Sequence, residues 1–230
     1  MISWSTDDEL FQLAERELFT CVVGDIMDKL LLFHQFLPPE IKPITEGVVM
    51  IGRAMPVLCC DVFEGASSNS ANKLMAKPFG LMLEAVDDLG PNEIYLSTGS
   101  SPRNATWGEM MATRATKLGA RGAVLNGYYR DTKGLIRMKF PTFGYGSYGQ
   151  DSAPRYKVHD FRVPIEIGSV RIYPGDVIFG DIDGVCVIPK KAEKEVFSKA
   201  LEKARDEKIV KGALEGGLSA VAAYREHGIM

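Results

Sequence analysis

Glu93-Ile-Tyr-Leu-Ser97, Thr106-Trp-Gly-Glu109 and Ala123-Val-Leu-Asn126 are the three stretches that decide the fold class. The first is a short run of strand-forming residues, followed by a polar loop through Ser100-Ser-Pro-Arg-Asn104. The second has the spacing of a capping box, with Thr106 as cap and Glu109 reaching back to it. Behind it, Met111, Ala115 and Leu118 recur at i, i+4 and i+7, which predicts a helix that Gly119 and Gly122 close. The third stretch is again strand-like. Strand, helix and strand within 34 residues form a βαβ crossover, and such a crossover makes its two strands parallel.

On the N-terminal side, Ser5 or Thr6 ahead of Asp7, Asp8 and Glu9 marks a helix start, and Leu10, Leu13 and Leu18 continue it. A second helix is expected over Val23 to Leu32, before the Pro38-Pro39 breaker. Val48 to Ile51 and Met55 to Cys60 read as two strands about a Gly52-Arg53 corner. Ser70 to Leu89 is helix-prone, with an interruption at Pro78-Phe79-Gly80. On the C-terminal side, short strands are expected at Thr142 to Gly144, Val163 to Ile167, Val170 to Tyr173, Val177 to Phe179 and Val185 to Ile188. A charged helix over Lys191 to Lys211 follows, and Gly216-Gly217 ends it before a last short helix. The expectation is one α/β domain over residues 1–230 with a strand-rich second half.

Composition narrows the function classes. The chain is 46% apolar and 25% charged, ordinary for a packed core, and its formal net charge is −3. Lys and Arg are scattered, so no basic footprint marks a nucleic acid or a membrane surface as partner. No apolar run approaches the ~18 residues of a membrane helix, and the first residues lack the basic and apolar regions of a signal peptide. A cytoplasmic location is expected. Cys21, Cys59, Cys60 and Cys186 read as reduced, mostly buried thiols, because neighbouring Cys59 and Cys60 point to opposite faces of a strand. His34, His159 and His227 match no zinc spacing. Gly144-Tyr-Gly146-Ser-Tyr-Gly149 satisfies G-x-G-x-x-G, but Gln150 to Pro154 is a poor helix start, so it reads as a turn rather than a dinucleotide site.

The chemistry gathers at one edge of the crossover. The helix start at Gly108-Glu109 and the loop leaving the second strand both lie at the carboxyl end of the sheet, where open α/β folds bind ligands. The helix terminus offers unpaired N–H groups to an anion, and Gly108 allows close approach. The second loop brings Arg130, a planar fork for a carboxylate, and Asp131, a hard oxygen ligand. Plainer roles exist for the same residues. Glu109 also serves as the last member of the capping box, and an adjacent Arg-Asp pair is commonly a solvated surface feature.

Gly108-Glu109, then twenty residues, then Arg130-Asp131 resembles the acid-x20-Arg-Asp signature of the RraA-like family. That family includes the class II 4-hydroxy-4-methyl-2-oxoglutarate/4-carboxy-4-hydroxy-2-oxoadipate aldolases. Val23-Gly-Asp25-Ile-Met-Asp28, His34 to Pro39, Gly52-Arg53-Ala54, Pro174-Gly-Asp176 and Asp181-Ile-Asp-Gly-Val185 with Pro189 agree with it, so the likeness covers nearly the whole chain.

The resemblance implies a swivelling β/β/α domain, assembled as a trimer or dimer of trimers with sites at subunit interfaces. It implies Mg²⁺ or Mn²⁺ as cofactor and a 2-oxo acid as substrate, cleaved at a C–C bond with a pyruvate enolate stabilised by the metal; oxaloacetate decarboxylation is a related activity. Carried over, Asp131 ligates the metal and Arg130 contacts the carbonyl or enolate oxygen. The amides around Gly108, Glu109, Met110 and Met111 hold the pyruvyl carboxylate, and Glu109 positions a catalytic water. Glu207 resembles an acid that reaches the metal's water shell from the next subunit. Glu109 is one methylene longer than the common Asp, and Gly134 stands where many relatives carry an acid. Both departures bear on the substrate. The family also contains regulators that inhibit an RNA-degrading endonuclease, which leaves a binding protein as the alternative; the methyltransferase label that recurs there finds no cofactor motif in this chain. Lys133 and Lys139 lie near enough to suggest a Schiff base, but nothing marks either as desolvated, so a divalent cation is the better expectation.

Overall fold

The computed structural model describes residues 4–63 and 70–228; residues 1–3, where the signal-peptide reading begins, lie outside them. Helix α1 (Asp7–Glu17) starts where the acidic cluster predicts: Thr6 Oγ1 accepts from the Glu9 amide at 3.2 Å, and the Ser5 amide and hydroxyl donate to the Glu9 carboxylate. Helix α2 (Thr20–Lys29) begins three residues earlier than Val23. Its start is set from across the fold, since the amide and hydroxyl of buried Thr20 both donate to Asp181 at 2.7 Å. No local pattern announces that cap.

Strands β1 (Lys42–Pro43) and β2 (Met50–Asp61) follow. The expected corner at Gly52-Arg53 does not form, and β2 runs straight through it. Gly52 is there for a close approach: a Cβ at this position would lie 2.6 Å from the Asn92 carbonyl oxygen. The helix-prone stretch yields only a 3₁₀ turn at Lys73–Ala76 and helix α3 (Met82–Asp87). Then come β3 (Glu93–Thr98), β4 (Ala105–Trp107), α4 (Glu109–Lys117), β5 (Gly122–Leu125) and β6 (Tyr128–Tyr129). The capping box expected at Thr106 is absent. Thr106 sits inside β4, and Gly108 is the cap residue, with no side-chain cap on α4.

Helix α5 (Thr132–Met138) and strand β8 (Tyr156–Phe161) carry no signal in the sequence reading, whereas β7 (Thr142–Gly144) forms where that reading predicts a strand. The hairpin β9 (Ile165–Ile167) and β10 (Val170–Ile172), strands β11 (Val177–Gly180) and β12 (Val185–Ile188), the long helix α6 (Glu193–Glu215) and α7 (Ala220–His227) complete the chain.

The main sheet has the order β1-β7-β5-β3-β2-β11-β12, with β8 also on β2. As the crossover predicts, β3 and β5 are parallel, and β2 is parallel to β3. Strand β2 is the spine: β3 takes one edge, while β11 and β8 share the other. Its odd positions face helices. Ile51 packs with α1, α2 and α6, and Met55 and Val57 pack with α3 and α4. Its even positions Met50 and Ala54 join Ile94, Val124, Phe143 and Ile165 in a separate apolar interior. Cys59 and Cys186 are buried, and burial pushes the Cys59 thiol up to about 12, which makes it inert. Among the described residues no helix is long and apolar enough to cross a membrane.

Several motifs that carry the resemblance are structural. Asp181 caps α2, and Asp176 accepts from the Tyr173 and Lys190 amides at 2.9 Å. Arg53 ties β2 to both flanking helices. It donates to Asp7 at 2.9 Å and to Glu193 at 2.5 Å, and its guanidinium lies 5.6 Å from the Phe11 ring. The side chain is only 17% exposed, so removing it leaves the largely buried Glu193 and the more exposed Asp7 without their cation. Arg53→Ala is expected to cost about 2–4 kcal/mol at neutral pH, between the ranges for exposed and buried pairs. That corresponds to a melting temperature lower by roughly 10 °C. The same bond holds the Asp7 carboxyl below its usual range. Stability from Asp7 is therefore present above the ordinary carboxylate range and lost as pH falls through its lowered value. Thermal denaturation across pH 2–7 checks this, because the gap between wild type and variant should narrow on the acid side.

Candidate active site

Two short parallel strands build the floor. Strand β4 lies beside β6, and the Arg130 amide continues the pairing by donating to the Trp107 carbonyl at 2.9 Å. Beneath them Trp107 is buried against Tyr95 and Phe140. The chain leaves β4 into α4 through Gly108, and leaves β6 into α5 through Arg130-Asp131. The start of α4 and the Arg130-Asp131 loop are thereby brought to one edge, as the crossover argument anticipates; that the loop also opens a second helix, α5, lies beyond it.

Asp131 has φ 57° and ψ 34°, the left-handed region that non-glycine residues enter rarely, though Asp more readily than most. Its carbonyl accepts from the Gly134 and Leu135 amides and so opens α5. Its side chain does not cap that helix. Instead Oδ2 turns across to α4 and accepts from the Glu109 amide at 3.2 Å. Gly108 leaves room for this approach: a Cβ there would sit 2.6 Å from Asp131 Oδ2, which would have to move. The sequence anticipates a ligand anion against Gly108, but in this structure a carboxylate of the chain itself comes close. Asp131 Oδ1 makes no hydrogen bond among the described residues.

Arg130 is held between two carboxylates. Its Nη1 donates to Asp151 Oδ1 at 2.7 Å, and its Nε is 3.7 Å from Asp131 Oδ2. Arg130 is 40% exposed and its partners 43% and 46%, and a guanidinium has five N–H donors, so most of them remain open. Asp151 was not anticipated from the sequence. It comes from the turn after the Gly144 to Gly149 stretch, which lies along β6 with Tyr129 and Ser147 bridged; no helix follows it.

These groups line a cavity of about 620 Å³ together with Thr106, Ser152, Phe79, Met82 and Met110. Thr106 Oγ1 and Trp107 Nε1 are buried without a hydrogen-bond partner. They are two of six such side-chain atoms among the described residues, the others being on Gln35, Tyr95, Ser97 and Asn104. The sequence assigned Thr106 to a cap and gave Trp107 no role.

Two proposed residues lie elsewhere. The Glu109 carboxylate is absent from the cavity lining; it accepts from Arg137 at 2.7 Å and rests over Gly134, where any Cβ would overlap it. Glu207 is on α6, 2.7 Å from Lys203, which also binds Asp25, and it does not line this cavity.

As a metal site the donor set is all oxygen. Among the described residues no three His, Cys, Asp or Glu side chains come together, so a closed cage of the zinc type is not formed. One uncommitted carboxylate oxygen on an open cavity wall suits Mg²⁺ or Mn²⁺ better. Mg²⁺ characteristically keeps several waters and takes one or two protein carboxylates plus substrate.

The model of the RraA-like family (Aldolase/RraA) matches residues 20–187. A Halalkalibacterium halodurans protein named "Putative 4-hydroxy-4-methyl-2-oxoglutarate aldolase" is 30% identical over 213 residues, 92% of this chain and 91% of that one. Two solved structures share the fold. A protein of Pseudomonas syringae pv. tomato superposes with a TM-score of 0.82 at 21% identity, covering 98% of this chain and 97% of that one. Streptomyces coelicolor RraAS2, described as an unusual member of the RNase ES inhibitor RraA protein family, superposes at 0.76 with 18% identity over 91% and 99%.

Proposed function

This chain belongs to the RraA-like family, and from that footing we propose that the cavity between α4 and α5 is the active site of a divalent-metal-dependent oxo-acid lyase. The reaction is pyruvate aldol cleavage, with oxaloacetate decarboxylation as a second activity. The observation that carries this is Asp131: a solvent-facing carboxylate oxygen with no hydrogen bond among the described residues, on the wall of the cavity and next to open guanidinium donors.

Each residue has a task. Asp131, with its free oxygen, would hold the Mg²⁺ or Mn²⁺, which when bound polarises the 2-oxo group of the substrate. Arg130 contacts the same oxygen and compensates the charge that develops on it as the C–C bond breaks. The start of α4 receives the pyruvyl carboxylate: its Glu109 amide is engaged with Asp131, leaving those of Met110 and Met111 to lead. Glu109 positions a water once it leaves Arg137. Glu207 enters through a neighbouring copy in a trimer or dimer of trimers.

The deciding experiment is pyruvate release from a panel of 4-hydroxy-2-oxo acids and oxaloacetate, with Mg²⁺, Mn²⁺ and EDTA arms. Activity is expected to vanish in chelator and return with either metal. Full activity in EDTA, with trapping by borohydride, would point to a Schiff-base lysine instead. Glu109→Gln tests the water-positioning role separately. Its ion pair with Arg137 is exposed and contributes about 1 kcal/mol or less, so the melting temperature should hardly move. The kcat should drop at least about 10-fold, as removal of a proton-handling group does. A lower melting temperature with normal kcat would make Glu109 a structural residue.

A further inference from the structure

We infer that Arg114 receives the carboxylate beyond the pyruvyl half of the substrate, so that the site takes 2-oxo diacids ahead of 2-oxo monoacids of the same length. This rests on the lyase reading of the same site and deepens it. Arg130 is committed there to the 2-oxo oxygen and to Asp151. Among the described residues the cavity wall carries one other cation, Arg114 on α4. It gives only its Nε to Asp87, at 2.6 Å. Neither Nη group makes a hydrogen bond among the described residues, and the two together form a planar pair that suits the oxygens of a carboxylate. The contact with Asp87 therefore holds the fork without using it up. With 47% of the Arg114 side chain exposed, the pair is also weak enough to let the guanidinium follow a ligand.

The place of Arg114 on the helix sets the spacing. It lies four residues after Met110, hence on the same face of α4 and about 6 Å further along the axis. Helical side chains lean toward the N-terminus, and Arg114 lines the same cavity as Met110 and Met111, whose amides are assigned to the pyruvyl carboxylate. One helix thus offers two anion-binding points about one turn apart, a span that a five-carbon diacid bridges. Apart from Asp87 and Arg114, the lining from α3 and α4 is apolar, with Met82, Leu83 and Met110 among it. A distal carboxylate would lose hydration against those groups and be repelled by Asp87 and Asp151. The free Nη pair of Arg114 replaces the lost water.

Two measurements test this and keep it apart from the lyase reading. Isothermal titration in Mg²⁺ compares 2-oxoglutarate with 2-oxopentanoate, an acid of the same chain length that ends in methyl. Neither has the 4-hydroxyl that retro-aldol cleavage requires. Wild type is expected to bind the diacid at least about 10-fold more tightly, as a charge-assisted pair provides. Arg114→Gln should erase that preference by weakening the diacid, and Arg114→Lys should restore part of it. In pyruvate release from a 4-hydroxy-2-oxo diacid, Arg114→Gln should raise KM at least about 10-fold with a much smaller change in kcat, the mark of a contact made equally in ground and transition states. The melting temperature should hardly move, because the pair with Asp87 is exposed. The inference is overturned if wild type binds neither acid or shows no preference, if the preference survives Arg114→Gln, or if that variant loses both acids equally. Pyruvate release by wild type would then leave the lyase reading standing. A preference that disappears in Arg114→Gln, with no pyruvate released from any substrate, sinks the lyase reading and keeps Arg114 as the residue that holds the second carboxylate.

Discussion

Arg130→Ala is expected to lower kcat/KM for the best 2-oxo acid by at least about 10²-fold, because the oxygen that gathers charge loses its partner. The melting temperature should change little. The Arg130 pairs with Asp131 and Asp151 are well exposed, and pairs of that kind contribute about 1 kcal/mol or less. Lysine at 130 should rescue only in part, since a point charge cannot serve Asp151 and the substrate with the same fixed fork. Steady-state kinetics on the three proteins, with thermal denaturation alongside, gives the answer. If alanine at 130 turns over like wild type, the cavity is not the catalytic site, and a protein that binds and regulates a ribonuclease becomes the better account.

Asp131→Asn is expected to reduce turnover to the level seen in chelator while leaving the fold intact. Asparagine also accepts the left-handed backbone conformation, and its amide oxygen still accepts from the Glu109 amide, so the junction of α4 and α5 has no reason to rearrange. What it lacks is the charge of a hard anionic ligand. Mn²⁺ titration followed by electron paramagnetic resonance should show weakened binding in the variant. Unchanged Mn²⁺ affinity with unchanged metal-dependent turnover would remove Asp131 from the metal site.

The crossover was legible because its signals are local: strand-forming runs, a helical apolar period and closing glycines lie within one stretch, and β3, α4 and β5 follow them closely. What escaped is set by partners far along the chain. Thr20 starts α2 only because Asp181 reaches it, and β2 passes through Gly52-Arg53 because other strands hold both its edges. Helix α5 has seven residues with a glycine inside, too short and too weak a pattern to read. Strand β8 carries Lys157, His159 and Asp160 on a sheet edge, which hides its apolar alternation. At the site, Arg130, Asp131 and Gly108 were legible from their place in the crossover and from the resemblance. Asp151, Thr106 and Trp107 were not, since only the folded chain brings Asp151 to Arg130 and leaves the other two atoms unpaired.

The seat of Glu109 over Gly134 bears on how this site could change in descent. The two residues share one small volume: the carboxylate occupies the space that a side chain at 134 would need. A lineage that gained any side chain at 134 would displace the acid at 109 unless that acid also shortened. Substitutions at 109 and 134 are therefore expected to be non-additive, since neighbours in such direct contact do not contribute independently.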